Sequence, residues 1–148
     1  MKLQVLMALT VGWLVAADAP KDSSAKKELQ KFQGTWKVAS MEIGGKKVAD
    51  DKAKGATLVV KGNQYAVKMG DKTLEQGTFK IDPTKKPKTI DVTPTEGKGK
   101  GKTFHGIYQI NGDEARDSFS TDNKERPTSF DTKANSKWVV RVYKWVKS

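Results

Sequence analysis

The chain has 148 residues, of which 36% are hydrophobic and 30% charged, with 13 glycines, five prolines and no cysteine. This length fits one domain with a single core, and the composition is too apolar for a disordered chain. Because cysteine is absent, disulfides, thiol nucleophiles and thiolate metal sites are excluded.

The N-terminal segment differs from the rest of the chain. Lys2 precedes a nearly continuous apolar run over residues 3–15, and small residues follow it up to Ala17. This pattern is typical of a secretory signal peptide (residues 1–17), and the run is too short to predict a transmembrane segment. We therefore expect an exported protein, periplasmic or extracellular, with one domain over residues 18–148.

Lysine carries nearly all of the positive charge, with 25 lysines against three arginines. The formal net charge of +11 falls to +10 once Lys2 is removed. Proteins that read nucleic acids rely on arginine and cluster their charge, whereas these lysines are scattered at strand ends and turns. We interpret them as solubilising residues, with weak polyanion or envelope contact as a possible role and no specific nucleic acid as a partner.

A short helix and then a series of strands are predicted along the chain. The helix covers 25–32, where Leu29 and Phe32 share one face, and Gly34 ends it. The strands are predicted at 35–43, 56–61, 64–69, 73–81, 89–93, 103–110, 114–121 and 138–146. About eight short strands at regular spacing, with Gly77 marking a bulge or a sharp bend, predict an all-β, up-and-down antiparallel barrel. A β-sandwich is the alternative.

Several of these stretches resemble a known family. Gly34-Thr35-Trp36 resembles the lipocalin hallmark at the start of the first strand. The wider sequence is similar to a family of small conserved domains from planctomycete bacteria, lipocalin-like in predicted fold and without an assigned function. The similar stretches are 29–38, 77–80, 82–91, 95–97, 106–108 and 126–128. The resemblance implies an exported bacterial protein and supplies no catalytic residues.

The chain departs from this family after residues 111–113. The family usually continues there with a strongly apolar strand that often contains a cysteine, whereas residues 114–119 are largely charged or polar. This departure predicts a frayed strand, or a barrel that is open beside it.

A structural signature also follows from the resemblance. In lipocalins the tryptophan of the first strand packs at the closed end against a basic residue from a late strand. By resemblance, Arg141 is the expected partner of Trp36, and Gly34, Trp36 and Arg141 together would mark the fold. An outward-facing Arg141 is the alternative.

No constellation of catalytic residues is found. His105 is the only histidine, so a histidine metal cluster is excluded, and no nucleophile has a suitable spacing from it. Gly101-Lys102-Thr103 resembles the end of a phosphate-binding loop but lacks the earlier glycine and the following helix. We predict no enzyme activity, no cofactor and no metal, and interpret the loop 97–102 as a flexible cationic hairpin tip.

Aromatic residues from distant strands would meet inside a barrel, where they fill the interior or line a pocket. The candidate ligand-lining residues are Phe79, His105, Tyr108 and Trp138; His105 and Tyr108 lie on opposite faces, so at most one points inward. The first functional hypothesis is a binding module for a small apolar or amphipathic ligand. The alternative is a filled barrel that acts as a structural or interaction domain through its lysine-rich surface.

The signal-peptide prediction is tested by the N-terminus of the exported protein. When the chain is expressed in a bacterium with its own leader, we expect N-terminal sequencing of the exported fraction to begin at Asp18. An Ala17→Arg variant should keep the leader, because the signal peptidase requires a small residue there. Asp18→Asn, on the other side of the bond, is the control. An exported protein that begins at Met1 would contradict the prediction.

Overall fold

The computed structural model describes residues 23–48, 55–134 and 136–147, so the predicted signal peptide lies outside the described residues. The elements, in chain order, are helix α1 (Ser23–Phe32) and strands β1 (Gly34–Ile43), β2 (Lys46–Lys47), β3 (Ala56–Lys61), β4 (Gln64–Met69), β5 (Lys72–Asp82), β6 (Thr89–Glu96), β7 (Phe104–Asn111), β8 (Glu114–Ser120) and β9 (Trp138–Val146).

Eight of these strands form a closed antiparallel barrel. Each strand from β3 to β8 pairs with the next one along the chain, and β1 closes the ring by pairing with both β3 and β9. Strand β2 is an extra two-residue strand that pairs with the end of β1. The predicted all-β barrel with a short N-terminal helix is confirmed, and the β1–β9 pairing excludes the sandwich.

The up-and-down order places the connections at two ends of the barrel. The end that we call the helix end holds α1 and the connections 62–63, 83–88 and 112–113. The opposite end, called the loop end, holds the connections 44–45, 70–71, 97–103 and 121–137.

Helix α1 closes the helix end with an aromatic cluster. The Phe32 ring centroid lies 5.0 Å from that of Tyr108 and 5.7 Å from that of Phe79. Trp36 is 2% exposed, and its indole N–H donates to the Phe32 carbonyl oxygen at 2.8 Å. Gly34 connects the helix to β1 with a φ of 114°, a conformation that favours glycine. Apolar burial and ring contacts therefore fix the helix over this end.

Strand β8 is a complete barrel strand, although its sequence predicts a frayed one. It pairs with β7 over six residues and with β9 over all seven, so the expectation of an open barrel here is wrong. Its inward side chains are Ala115, Asp117 and Phe119, and the charge of Asp117 is balanced by Arg141 on β9. The ion pair between Asp117 and Arg141 thus takes the place of apolar contacts, because β8 has few apolar side chains.

The outer side of β7 and β8 is covered by residues 121–134. Arg126 in this segment donates from Nη1 to the backbone oxygens of Gly106 at 2.8 Å and Ile90 at 3.3 Å. The outward side chain of Ile107 is 1% exposed, and Ser118 on β8 is fully buried. The wall of the barrel is therefore buried on both sides at this position.

Gly77 lies at the predicted bulge. The β5–β6 register shifts between Gln76 and Gly77, and a Cβ at Gly77 would lie 2.3 Å from the Thr93 carbonyl oxygen and 2.7 Å from the Pro94 Cα. Both neighbours are backbone atoms, so they can yield only if the two strands separate. The close approach of β5 to β6 therefore requires glycine at this position.

Substitution of Gly77 tests this packing. We expect Gly77→Ala to lower the free energy of unfolding by roughly 3 kcal/mol, because the methyl group forces β5 and β6 apart. Gly112→Ala is the matched control: it meets no atom within 4 Å, and its φ of 61° should cost only about 1 kcal/mol. Urea unfolding measures both values. Equal losses would contradict the close contact.

Candidate functional site

The interior of the barrel contains a cavity of about 310 Å³ that is partly open to solvent. All eight barrel strands, the helix and the loop end contribute to its lining. The lining residues are Phe32, Trp36, Leu58, Val60, Tyr65, Val67, Glu75, Phe79, Ile90, Val92, Pro94, Lys98, Gly99, Phe104, Tyr108, Ala115, Arg116, Asp117, Phe119, Arg141 and Tyr143. Side chains therefore do not fill the whole interior of the barrel.

Most of this lining is apolar because of the alternation of side chains along each strand. In the β3–β4 hairpin, Leu58 lies opposite Val67 and Val60 lies opposite Tyr65, and all four point into the barrel. The same period of two brings mostly apolar side chains inward on the neighbouring strands. The result is an apolar chamber above the aromatic cluster of the helix end.

Three polar side chains from β8 and β9 interrupt the apolar lining. Nε of Arg141 donates to Oδ1 of Asp117 at 3.0 Å, and the Tyr143 hydroxyl donates to Oδ2 at 3.0 Å. Burial alone would lower the pKa of Arg141, but the charge of Asp117 raises it above its ordinary value. Burial raises the pKa of Tyr143, so its hydroxyl is a neutral donor at neutral pH. Because Arg141 lines the cavity with 33% of its side chain exposed, its guanidinium is accessible there.

A second polar pair joins β4 and β5. The Tyr65 hydroxyl donates to Oε2 of Glu75 at 2.6 Å, and burial together with this bond raises the pKa of Tyr65. Among the described residues, Glu75 has no basic nitrogen within 4.0 Å. The cavity therefore contains a carboxylate whose charge is not paired by direct contact.

The glycine-lysine loop folds over the cavity at the loop end. Lys98 and Gly99 line the cavity, and a Cβ at Gly99 would lie 2.7 Å from the Phe104 ring. Backbone hydrogen bonds hold this loop, from Gly101 N to Pro94 O at 3.1 Å and from Lys102 N to Gly99 O at 3.0 Å. The expected cationic tip is thus also part of the lining.

Two of the four candidate lining residues lie in the cavity and two do not. Phe79 and Tyr108 point inward and are 5% and 2% exposed. His105 is exposed on the outer side of β7, where its Nδ1 lies 2.8 Å from Oδ1 of Asp91. Trp138 is opposite Ser120, on the outer side of the β8–β9 pair. Because side chains alternate along a strand, His105 and Trp138 face outward. Their predicted place in the cavity lining is therefore corrected.

The expected contact between Trp36 and Arg141 is also corrected. Trp36 lies opposite Trp145 near the helix end, whereas Arg141 lies opposite Met41, farther along β1. Arg141 does point inward, but its guanidinium binds Asp117. The partner of Trp36 is instead the backbone of α1. Of the predicted signature, Gly34 and Trp36 close the helix end, and Arg141 belongs to the cavity.

Sequence reasoning missed the polar lining residues Tyr65, Glu75 and Asp117. A signal for two of them exists in the alternation pattern. Asp117 lies between the inward residues Ala115 and Phe119, and Glu75 has the same parity as Phe79 on β5. Charged residues at inward positions of a strand indicate an internal polar site rather than a frayed strand.

Glu28 is a buried charge at the helix end. This residue of α1 is 4% exposed, and it accepts hydrogen bonds from Tyr108 at 2.9 Å and Lys88 at 2.6 Å, with Lys31 at 3.0 Å. Burial would raise the pKa of Glu28, but the bonds from Lys88, Lys31 and Tyr108 together lower it below its ordinary value. The carboxylate therefore ties the helix to the β5–β6 connection and to β7.

Comparisons with protein-family models, with curated proteins and with solved structures each find no match. Within the described part of the chain, no group of three or more His, Cys, Asp or Glu side chains could hold a metal ion. No helix among the same residues is long and apolar enough to cross a membrane.

The role of Glu28 predicts a pH dependence. Because its pKa is lower in the folded chain, its stabilisation is complete above the unfolded-state pKa and is lost as the pH falls through the folded-state value. We expect Glu28→Gln to cost roughly 2 kcal/mol at neutral pH, and the difference from wild type to shrink on acidification. Urea unfolding at a series of acidic pH values measures this difference in the free energy of unfolding. The exposed Glu96→Gln is the control, and a loss that does not change with pH would refute this role.

Proposed function

We propose that this protein is an exported, lipocalin-like binding module that holds a small amphipathic ligand inside its barrel. The cavity of about 310 Å³ is the observation that carries the proposal. A volume of this size is at the lower end of the range for small-molecule sites, and a mostly apolar lining with a few polar groups is their usual character. The ligand is therefore a small molecule with a mainly hydrophobic body.

The polar groups of the cavity suggest what the ligand carries at one end. Among the described residues, the hydrogen bond of Arg141 uses Nε, which leaves its two Nη groups as donors. Glu75 uses Oε2 for Tyr65, so Oε1 remains as an acceptor. A neutral head group that both accepts and donates, such as a hydroxyl or an amide, fits these atoms without adding an unpaired charge to a partly apolar site.

Export is the second part of the proposal. It rests on the pattern of residues 1–17 and on the resemblance to the planctomycete domain family, and it would place the barrel in the periplasm or outside the cell. Catalytic activity is not part of the proposed function. The competing proposal, an interaction domain that works through its lysine-rich surface, does not require a cavity.

Cavity filling tests the binding proposal. The probe is N-phenylnaphthylamine, a neutral apolar amine whose fluorescence rises in apolar surroundings. We expect Ala115→Phe, which points a ring into the cavity, to weaken probe binding about tenfold or more through steric exclusion. Ala66→Phe is the matched control, because Ala66 alternates with Tyr65 and Val67 and faces outward.

Fluorescence titration measures the affinities, and thermal unfolding shows whether both variants are folded. Equal binding by the two variants would place the probe outside the barrel, and absence of probe binding by the wild type would remove support for an apolar site. Native mass spectrometry of protein purified from its own host would then identify a retained ligand.

A further inference from the structure

The loop end carries most of the large hydrophobic side chains that are exposed in the described residues. Four such side chains are exposed, and three of them, Ile43 (41%), Met69 (37%) and Leu74 (44%), lie at or beside the connections 44–45 and 70–71. The fourth, Trp145, is at the helix end, where its indole N–H donates to the Gln33 carbonyl oxygen at 3.3 Å.

Exposed lysines surround these apolar side chains. They lie in β2, at the start of β5 and in the 97–103 loop: Lys46, Lys47, Lys72, Lys98, Lys100 and Lys102. None of the six has a carboxylate within 4.0 Å among the described residues. The acidic residues in or next to these segments are Glu42, Asp71 and Glu96. The connection 121–137 at the same end adds three acidic and four basic residues, so positive charge is in excess at the described part of the loop end.

We propose that the loop end docks on an anionic lipid bilayer. Lysine ammonium groups are attracted to the negative head groups, and apolar side chains at hairpin tips can enter the boundary between head groups and acyl chains. Neither feature alone indicates a membrane, because scattered lysines also solubilise proteins and single exposed hydrophobic residues are common. Their combination on one end of the barrel fits a bilayer better than a polyanion, which offers no apolar phase.

The position of the cavity agrees with this orientation. Lys98 and Gly99 belong both to the loop end and to the cavity lining, and Phe104 lies directly beneath them. A barrel docked through this end would have its cavity facing the bilayer. The docking surface goes beyond the proposed ligand binding and does not depend on it, since either property can be lost without the other.

Site-specific fluorescence distinguishes this orientation from general adsorption of a basic protein. A chain that begins at Asp18 retains α1 and every strand and omits the apolar run 3–15, which could itself bind lipid. Because the chain contains no cysteine, Leu74→Cys at the loop end and Lys26→Cys on α1 each accept one nitrobenzoxadiazole label. The vesicles contain phosphatidylcholine alone or with phosphatidylglycerol.

We expect the label at position 74 to brighten and shift to shorter wavelength with the anionic vesicles only, while the label at position 26 stays unchanged. In vesicle sedimentation, Lys46→Gln combined with Lys47→Gln should weaken binding about tenfold. The matched pair on the helix, Lys26→Gln with Lys27→Gln, should change it less than about twofold.

Three results would overturn the proposal. Equal responses of the two labels would mean adsorption without orientation, and absence of binding to anionic vesicles would exclude docking. Tight heparin binding that is unaffected by Leu74→Ser, together with vesicle binding that is equally unaffected, would identify a polyanion surface instead. The N-phenylnaphthylamine titration is independent of all three results, so failure of docking and failure of ligand binding remain distinguishable.

Discussion

The ion pair between Asp117 and Arg141 is the interaction on which both the barrel and its cavity depend. Strand β8 has few apolar side chains to bury, and an unpaired inward carboxylate would oppose its inclusion in a closed barrel. Arg141 balances that charge across the β8–β9 pair, and the Tyr143 hydroxyl satisfies the second carboxylate oxygen. Closure therefore uses a half-buried polar contact, and the same contact provides part of the polar lining of the cavity.

A single chemical arrangement recurs through the interior. The chain has three tyrosines, all buried, and each donates its hydroxyl to a carboxylate: Tyr65 to Glu75, Tyr108 to Glu28 and Tyr143 to Asp117. A phenol brings a large apolar ring together with one donor, so it can support a carboxylate without adding a charge. These pairs explain how three carboxylates are accommodated inside a largely apolar barrel.

The two ends of the barrel differ in the number of large apolar side chains that they expose. At the helix end, Phe32 and Trp36 are buried, and Glu28 binds two lysines. Trp145 is the one exposed large hydrophobic side chain among the described residues of this end. At the loop end, Ile43, Met69 and Leu74 remain exposed beside lysines that form no ion pair with another described residue. The contacts at the helix end stabilise the fold. Burial of the exposed apolar side chains at the loop end would instead stabilise a complex with a partner. This difference between the two ends is the reason for proposing that the loop end docks on a bilayer.

The amino-acid sequence by itself determined the all-β class, the short helix and most strand bounds, because alternation and turn residues are local signals. Gly34, Trp36 and Gly77 were recognised for the same reason. Only the tertiary structure decided that Arg141 pairs with Asp117 rather than contacting Trp36, that Glu75 and Asp117 face a cavity, and that His105 and Trp138 lie outside. Those outcomes depend on the register between β1, β8 and β9, where a shift of a single residue reverses which side chains face inward. Local patterns do not specify that register; closure of the barrel does.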